Sequence, residues 1–276
     1  MNMLSHLSLF TGIGGIDLAA EWAGFTTVGQ CEFADYPNRV LEKHWPDVPR
    51  WRDVHDVTHG ALLEKSIGEI TLLSGGFPCQ PHSVSGKRLA SRDERDLWAE
   101  FARIIREIRP KWVLGENVRG LLSSEDGRFF GYVLRDLAGL GYDASWGVLS
   151  AFHAGAVHRR ERVFIVAHAH GGRRARVDDY AEAECNQDDF ACIEPTKATP
   201  HDILFTALRV LGEPGGRLHR NDDGVPAALD RIKCCGNAVM PQQAYTILAA
   251  IAALERSRVD GVETAIDHRA VHRNHP

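Results

Sequence analysis

The chain has 276 residues and a formal net charge of −5; 44% of its residues are hydrophobic and 25% are charged, a composition typical of a globular protein with a large core. No run of 18 apolar residues occurs, and the first residues lack the basic region and cleavage site of a secretory signal. Six cysteines without a dense pattern predict free thiols in a reducing compartment, so we expect a cytoplasmic protein and exclude a membrane protein, a secreted disulfide-rich domain and a disordered chain.

The first 170 residues alternate between short apolar segments and segments of helical periodicity. We predict strands at 7–10, 27–32 and 69–74, another beginning at 112, and one strand of a hairpin at 158–167. We predict helices at 16–22, 36–45 and 94–108, with Asp35 as the N-cap of the second helix. This alternation indicates crossover units on a largely parallel sheet, whose ligand site lies beyond the carboxyl ends of the strands.

The pattern changes after the predicted hairpin strand. Residues 169–230 are polar and rich in Gly and Pro, with one apolar helix predicted at 203–211. Charge is polarised here: residues 158–176 carry a balance of about +5 and residues 177–195 about −7. A phosphate backbone would contact the basic segment and avoid the acidic one.

A late amphipathic helix follows, and its apolar stripe consists of Ala244, Ile247, Leu248, Ile251 and Leu254. The segment 236–241 opens this helix, so its first turn presents free N–H groups to a ligand. Residues 257–276 are predicted to be a flexible tail.

A glycine turn follows the first predicted strand, and carboxylates follow later ones. The turn contains Phe10, Gly12 and Gly14, and its glycines allow a ligand to approach the backbone closely. Glu32 ends the second strand, where a carboxylate can accept hydrogen bonds from both ribose hydroxyls, and Asp53 can accept from an adenine amino group. The turn alone is equally compatible with an ordinary loop, but together these residues predict a nucleoside-containing ligand.

Two further strand ends carry reactive groups. Cys79 stands between Pro78 and Gln80-Pro81 after an apolar strand, a position typical of a nucleophile. The alternative is a small buried hydrophobe, the commoner fate of a lone cysteine. Glu116 lies near the end of the strand that begins at 112; it either serves the site or is a solvated loop residue.

The predicted hairpin strand begins with a run of charges. Since strand residues alternate faces, Arg160 and Arg162 share one side and suggest an anion or a polarised carbonyl as target. Arg159 and Glu161 share the other side, where they can neutralise each other. The alternative for the whole run is a solvated charged face.

In their order along the chain, these segments resemble the DNA cytosine-5 methyltransferases of bacteria and phages. The resemblance rests on Phe-x-Gly-x-Gly, the strand-end Glu, the Asp, Pro-Cys-Gln, Glu-Asn-Val, x-x-Arg-x-Arg and Gly-Asn-x-Val. It implies a Rossmann-like α/β fold of the S-adenosylmethionine-dependent methyltransferase type, mostly parallel with an antiparallel hairpin strand. Residues 1–168 and 231–256 would form the catalytic and cofactor domain, and 169–230 a short target-recognition region.

The resemblance also implies a reaction: transfer of a methyl group from S-adenosylmethionine to C5 of a flipped-out cytosine in DNA, through a covalent Cys79–C6 intermediate. No metal is implied. The implied catalytic residues are Cys79, Glu116, Arg160 and Arg162. The implied cofactor-binding residues are Phe10, Gly12, Gly14, Glu32, Asp53 and Asn237. The implied DNA-binding residues, in a loop that closes over phosphates, are Ser83, Ser85, Lys87, Arg88 and Arg92.

Glu116 would protonate N3 of the base as a carboxylic acid of raised pKa, and Arg160 would contact the base directly. The implied partner is double-stranded DNA, with a companion restriction endonuclease or recognition partner as a further option and no membrane; we expect a monomer. The short segment 169–230 lacks a good match to the family's arginine-bearing motif, which leaves two alternatives open: a catalytically silent DNA-binding or subunit-like homologue, and an RNA cytosine-5 methyltransferase.

Overall fold

The computed structural model describes residues 3–78, 94–152, 154–156, 159–169 and 238–259, and this part of the chain forms one sheet with helices on both faces. The strands are β1 (Ser5–Leu9), β2 (Thr26–Cys31), β3 (Arg50–Trp51), β4 (Leu72–Gly76), β5 (Trp112–Val118), β6 (Tyr142–Ser150) and β7 (Glu161–Ala169). The helices are α1 (Gly15–Ala23), α2 (Asp35–His44), α3 (His59–Glu64), α4 (Glu94–Ile108), α5 (Arg128–Gly139) and α6 (Pro241–Val259).

The strand order is β3-β2-β1-β4-β5-β7-β6. The pairs from β3 through β5 are parallel, whereas β7 runs antiparallel to both β5 and β6. The predicted fold class, a mostly parallel α/β sheet with an antiparallel hairpin strand, is confirmed. The chain order reverses between β1 and β4, so the loops after these two strands diverge to opposite faces and leave a crevice at the carboxyl edge.

Alternate residues of the central strands pack into two apolar cores, one on each face of the sheet. On β4, Leu72 faces the core that contains α1 and α6, while Leu73 faces the core that contains α3, α4 and α5. On β5, Leu114 faces the core that contains α1 and α6, and Val113 faces the core on the other side of the sheet. Both faces of the sheet are therefore covered by helices, as parallel strands require.

The late helix packs against α1 and shares an apolar cluster with Leu4, just before β1. Two contacts fix its far end: Trp112 Nε1 donates to Glu255 Oε1 at 3.0 Å, and Arg256 Nη2 donates to the carbonyl oxygen of Ala23 at 3.0 Å. The start of α6 is thereby brought to the carboxyl edge of the sheet, next to the turn after β1.

A buried histidine links three adjacent strands. His6 is fully buried on β1; Nδ1 lies 3.0 Å from Thr27 Oγ1 on β2, and Nε2 lies 2.7 Å from Ser74 Oγ on β4. Burial lowers the pKa of His6 to about 3, so the ring is neutral at physiological pH. One ring nitrogen accepts while the other donates, and the interaction fixes the centre of the sheet without a buried charge.

Under the glycine turn lies a second buried polar group. Asp17, in the first turn of α1, accepts hydrogen bonds from Ser8 Oγ at 3.0 Å and from Gln30 Nε2 at 2.9 Å. Gln30 Oε1 in turn accepts from Arg50 Nε at 3.0 Å. Burial raises the pKa of Asp17 to about 6. These contacts connect α1 to the first three strands, below the turn that leads into the helix.

Local details differ from the sequence expectations at three places. Ala34, not Asp35, is the N-cap of α2, and the Asp35 carboxylate pairs with Arg52 instead. The strand predicted at 158–167 is β7, which begins at Glu161, so Arg160 precedes it. Glu161 pairs with Arg119 at 2.7 Å rather than with Arg159. Within the described ranges, no helix has the length and apolar character needed to cross a bilayer.

Candidate active site

The turn after β1 has a backbone that few residues other than glycine adopt. Gly12 and Gly14 have φ of +57° and +85°, and Phe10 has φ of +51°. A Cβ atom at Gly12 would meet nothing within 4 Å, whereas one at Gly14 would collide with the Trp45 ring. Gly12 therefore borders open space at the strand edge, while Gly14 is required by packing. Phe10 packs edge-on against Phe101 at 6.3 Å between ring centroids.

Two carboxylates follow the adjacent strands β2 and β3. Glu32 holds the glycine turn: Gly12 N donates to its Oε2 at 2.8 Å, and Ala34 N donates to its Oε1 at 2.8 Å. Each carboxylate oxygen retains a further lone pair for a ligand. Asp53 caps the 3₁₀ turn Val54–Asp56 by accepting from the backbone and ring nitrogens of His55. The sheet thus places both predicted acids at the edge that carries the glycine turn.

The segment before α6 completes this side of the crevice. A Cβ atom at Gly15 would collide with the carbonyl oxygen of Val239. Only glycine therefore permits this contact between the turn after β1 and the segment that leads into α6. Asn237, predicted to bind the cofactor, lies outside the described residues, two positions before Val239.

Glu116 lies on the other side of the crevice, near the end of β5. It is 6% exposed, and its Oε2 lies 2.9 Å from where a Cβ atom of Gly76 would stand, at the end of β4. Arg162 Nε lies 2.9 Å from Glu116 Oε1, but Oε1 receives no well-directed hydrogen bond from the described residues. Burial raises the pKa of Glu116 to about 7, although the charges of Arg162 and Arg160 oppose the shift.

The two predicted arginines lie close to this carboxylate but have different surroundings. Arg162, at the start of β7, pairs with Glu116 and also donates from Nη1 to the carbonyl oxygen of Glu161 at 2.8 Å. Arg160 donates from Nη2 to the carbonyl oxygen of Ala238. The antiparallel register pairs Val118 with Arg162, which explains why β7 brings its arginines to the carboxyl edge of β5.

The backbone that leads to Cys79 is held firmly. Asn117 Nδ2 donates to the carbonyl oxygen of Phe77 at 2.8 Å, which ties the end of β4 to that of β5. The Phe77 ring packs against Trp98 at 5.1 Å and Phe101 at 6.1 Å between centroids. Cys79 itself lies outside the described residues, as do the predicted DNA-binding residues Ser83, Ser85, Lys87, Arg88 and Arg92.

Two contributors to the site, Asn117 and Gln243, were not identified individually from the sequence. Gln243 is fully buried in the first turn of α6, and its Nε2 donates to the carbonyl oxygens of Leu149 and Arg160. A sequence signal for Gln243 was present, because it lies four residues before Ile247, on the apolar stripe of the helix.

Among the described residues, no group of three or more His, Cys, Asp or Glu side chains is arranged to hold a metal ion.

The structure combines a mostly parallel α/β sheet with a glycine turn, two acids after neighbouring strands and a buried Glu–Arg pair. Comparison with known proteins gives the family. A family model described as C-5 cytosine-specific DNA methylase matches residues 4–205. The chain belongs to this family.

Individual relatives agree with this assignment. Type II methyltransferase M.NgoBI of Neisseria gonorrhoeae is 36% identical over 165 residues, covering 59% of this chain and 50% of that protein. Type II methyltransferase M.BsuFI of Bacillus subtilis is 31% identical over 229 residues, covering 82% of this chain and 53% of that protein. A crystal structure described as a prophage-encoded DNA modification methyltransferase of E. coli has a TM-score of 0.53 and 25% identity, covering 60% of this chain and 47% of that one. The chain spans about half the length of these relatives.

Proposed function

We propose that this chain transfers the methyl group of S-adenosylmethionine to C5 of a flipped-out cytosine in double-stranded DNA. The observation that carries the proposal is the buried Glu116 carboxyl, whose pKa is raised to about 7 and which lies over Gly76, three residues before Cys79. A carboxyl group of that pKa carries a proton over much of the physiological range, and it can deliver the proton to a nitrogen of a base held between it and the nucleophile.

The chemistry explains the need for a thiol and an acid on one site. C5 of cytosine is too weak a nucleophile until a thiolate adds to C6. In the proposed reaction Cys79 Sγ forms a bond to C6 and Glu116 donates its proton to N3. The resulting enamine carbon C5 takes the methyl group as the bond from that methyl to the sulfonium sulfur breaks, which leaves S-adenosylhomocysteine, a neutral thioether. Loss of the C5 proton to a base then re-forms the C5–C6 double bond and expels the Cys79 thiolate, and N3 returns its proton to Glu116.

The arginines have separate roles in this proposal. Arg162 holds the Glu116 carboxyl at 2.9 Å and so fixes which oxygen faces the base. Arg160, whose guanidinium lies near Glu116, contacts the base carbonyl directly. Both cations favour the ionised form of Glu116, so they keep its pKa near neutrality despite burial and allow the proton to be released to N3.

The residues at the β1 side of the crevice fit S-adenosylmethionine. Gly12 borders open space, Glu32 retains lone pairs for both ribose hydroxyls, and Asp53 follows the neighbouring strand at the place for an adenine amino group. Phe10 and Gly14 shape the turn, and Asn237 closes the methionine end in this proposal. When bound, the sulfonium supplies an electrophilic methyl group. No metal is needed for this chemistry.

The remaining parts of the proposal concern DNA. Ser83, Ser85, Lys87, Arg88 and Arg92 belong to the loop that would grip phosphates, and residues 169–230 would form the target-recognition region between the two parts of the catalytic domain. Flipping is required because a stacked duplex hides C5 and C6 from both reactants. The relatives named Type II methyltransferases suggest that a restriction endonuclease of matching specificity is a partner to look for.

The direct test is transfer of tritium from methyl-labelled S-adenosylmethionine to double-stranded DNA and, in parallel, to tRNA. We expect label in DNA, resistant to exchange and located at C5 of cytosine by bisulfite sequencing. Label in tRNA alone would favour an RNA methyltransferase. Soluble protein that binds DNA and cofactor but transfers no label would identify a silent homologue and contradict the proposal.

A second prediction concerns the close contact at Gly15. We expect Gly15→Ala to weaken binding of S-adenosylmethionine by about tenfold or more, because the added methyl must displace the Val239 carbonyl and overpacking costs about 1–3 kcal/mol. Isothermal titration calorimetry measures the affinity. Gly131→Ala is the matched control: it lies within α5 with nothing within 4 Å of the added Cβ, so affinity should not change. Equal affinities for both variants would show that the contact does not shape the cofactor site.

A further inference from the structure

Gln243 is an unusual residue for the interior of a helix–sheet interface. It is fully buried, and its Nε2 donates to two carbonyl oxygens, that of Leu149 at 2.9 Å and that of Arg160 at 3.1 Å. The two acceptors belong to the two arms of the β6–β7 hairpin. The amide orientation follows from these contacts, because the opposite orientation would bring three oxygens together.

Burying Gln243 costs free energy, and this cost argues that the residue does more than fill space in the core. Its Oε1 is buried and receives no hydrogen bond from the described residues. Burying an unpaired carbonyl costs free energy, which an apolar side chain of similar length would avoid. The position lies on the apolar stripe of α6, so a donor occupies a place where packing alone favours Met or Leu.

Arg160 is held to α6 at two points. Its carbonyl oxygen accepts from Gln243 Nε2, and also from Ala151 N at 3.1 Å in the hairpin. Its guanidinium donates to the carbonyl oxygen of Ala238, just before α6. Side chain and backbone of Arg160 therefore contact the two ends of the segment 238–243, and the arginine cannot shift relative to α6 without breaking one of these contacts.

This segment also contacts the cofactor side of the crevice. Val239 lies between the two points held by Arg160, and its carbonyl oxygen packs against Gly15, the first residue of α1 after the glycine turn. We propose that Gln243 is a positioning residue: by holding the Arg160 backbone against α6, it sets the place of the Arg160 guanidinium relative to the glycine turn. The inference rests on the proposed function, since the position of Arg160 relative to the glycine turn matters only if the base and the methyl donor react in this crevice.

The proposal predicts a specific kinetic pattern for Gln243→Met, which keeps the length but removes the donor. We expect kcat to fall by about 10–100-fold, since displacement of a positioned group by about 1 Å costs rates of this size. Affinity for S-adenosylhomocysteine, measured without DNA, should stay within about threefold of wild type, because the contact of Val239 with Gly15 remains. Gln243→Glu keeps the shape and can donate to one carbonyl at most, so its kcat should lie between those of wild type and Gln243→Met.

The decisive test is epistasis with Arg160. In an Arg160→Ala background, Gln243→Met should change kcat by less than about twofold, because the group that Gln243 positions is gone. Gln242→Met is the matched control: Gln242 is the neighbouring, half-buried glutamine, and its side chain forms no hydrogen bond with the described residues, so wild-type kcat is expected.

An equal loss of kcat in both backgrounds would overturn the proposal, and so would a defect confined to cofactor affinity. If Gln243→Met does not fold, wild-type kcat in Gln243→Glu would overturn it as well. An inactive wild-type protein would instead show that the proposed function has failed, and that result is distinct from any of these.

Discussion

Glu116→Gln is expected to lower the rate of methyl transfer by about 10²–10⁴-fold and to remove a loss of folding stability that the wild type undergoes as the pH rises toward 7. Glutamine keeps the shape of the side chain and its contact with Gly76, but it has no proton to give to N3 of cytosine. Loss of a general acid lowers rates by about 10²–10⁴-fold. We expect kcat to fall within that range while affinity for S-adenosylmethionine is unchanged, because Glu116 lies across the crevice from the glycine turn.

The expected change in the pH dependence of stability follows from the raised pKa. The pKa of Glu116 moves from an ordinary value of 4.5 to about 7 on folding, chiefly because the carboxyl is buried. Between these pH values the folded protein holds a proton that the unfolded chain has lost, so the unfolding free energy of the wild type falls as pH rises through this window. The loss approaches about 3 kcal/mol above pH 7, and a glutamine, which does not titrate, is free of it.

Chemical denaturation at pH 5 and pH 8, together with tritium transfer, measures both effects. Glu161→Gln is the control, since Glu161 is a partly exposed carboxylate next to Arg162 that pairs with Arg119. It should change neither the rate nor the pH dependence of stability by much. If Glu116→Gln remained active, or if its stability followed the wild-type pH dependence, the acid role of Glu116 would be refuted.

Cys79→Ala is expected to have the largest effect on activity. Without the thiol, no covalent bond to C6 forms and C5 stays unreactive, so the rate should fall by at least about 10⁴-fold. The binding of DNA and cofactor should persist, since alanine removes one sulfur atom. DNA that contains 5-fluorocytosine gives a second readout: the fluorine blocks loss of the C5 substituent, so the wild type should remain bonded to the DNA after methyl transfer, in an adduct that survives denaturing electrophoresis.

Cys31 provides the matched control for the adduct. It is a thiol at the end of β2 near the same crevice, but burial raises its pKa to about 12, so its thiolate is scarce at neutral pH. Cys31→Ala should still form the adduct, at some cost in stability. An adduct with Cys79→Ala, or its absence in both wild type and Cys31→Ala, would exclude Cys79 as the nucleophile.

Much of the site could be predicted from the sequence because its residues lie at strand ends. Hydrophobic alternation locates β1, β2, β4 and β5, and the carboxyl ends of parallel strands meet at one edge of the sheet. The glycine turn, Glu32, Asp53 and Glu116 are therefore expected to be neighbours although the first and last are more than 100 residues apart in the chain.

Other features depend on tertiary contacts that local patterns do not encode. Strand β6 was not predicted, because as an edge strand it is mostly half-exposed and its alternation is weak. Helix α5 was not predicted either, although Phe130, Val133 and Leu137 have helical spacing; Gly131, on the exposed face of the helix, lowers its helix propensity. The pairing of Glu161 with Arg119 requires the register of β7 on β5, and no spacing along the chain indicates it.

The packing of α6 on α1 has a consequence for circular permutation of this chain. Leu4, just before β1, belongs to the same apolar cluster as Ile251 and Ala252, and Arg256 reaches the carbonyl oxygen of Ala23. The end of α6 and the beginning of β1 are therefore neighbours in space. A short linker could join them while new termini open elsewhere, so circular permutation would preserve the contacts of both cores. The contacts that form this fold therefore do not require the chain to start at β1.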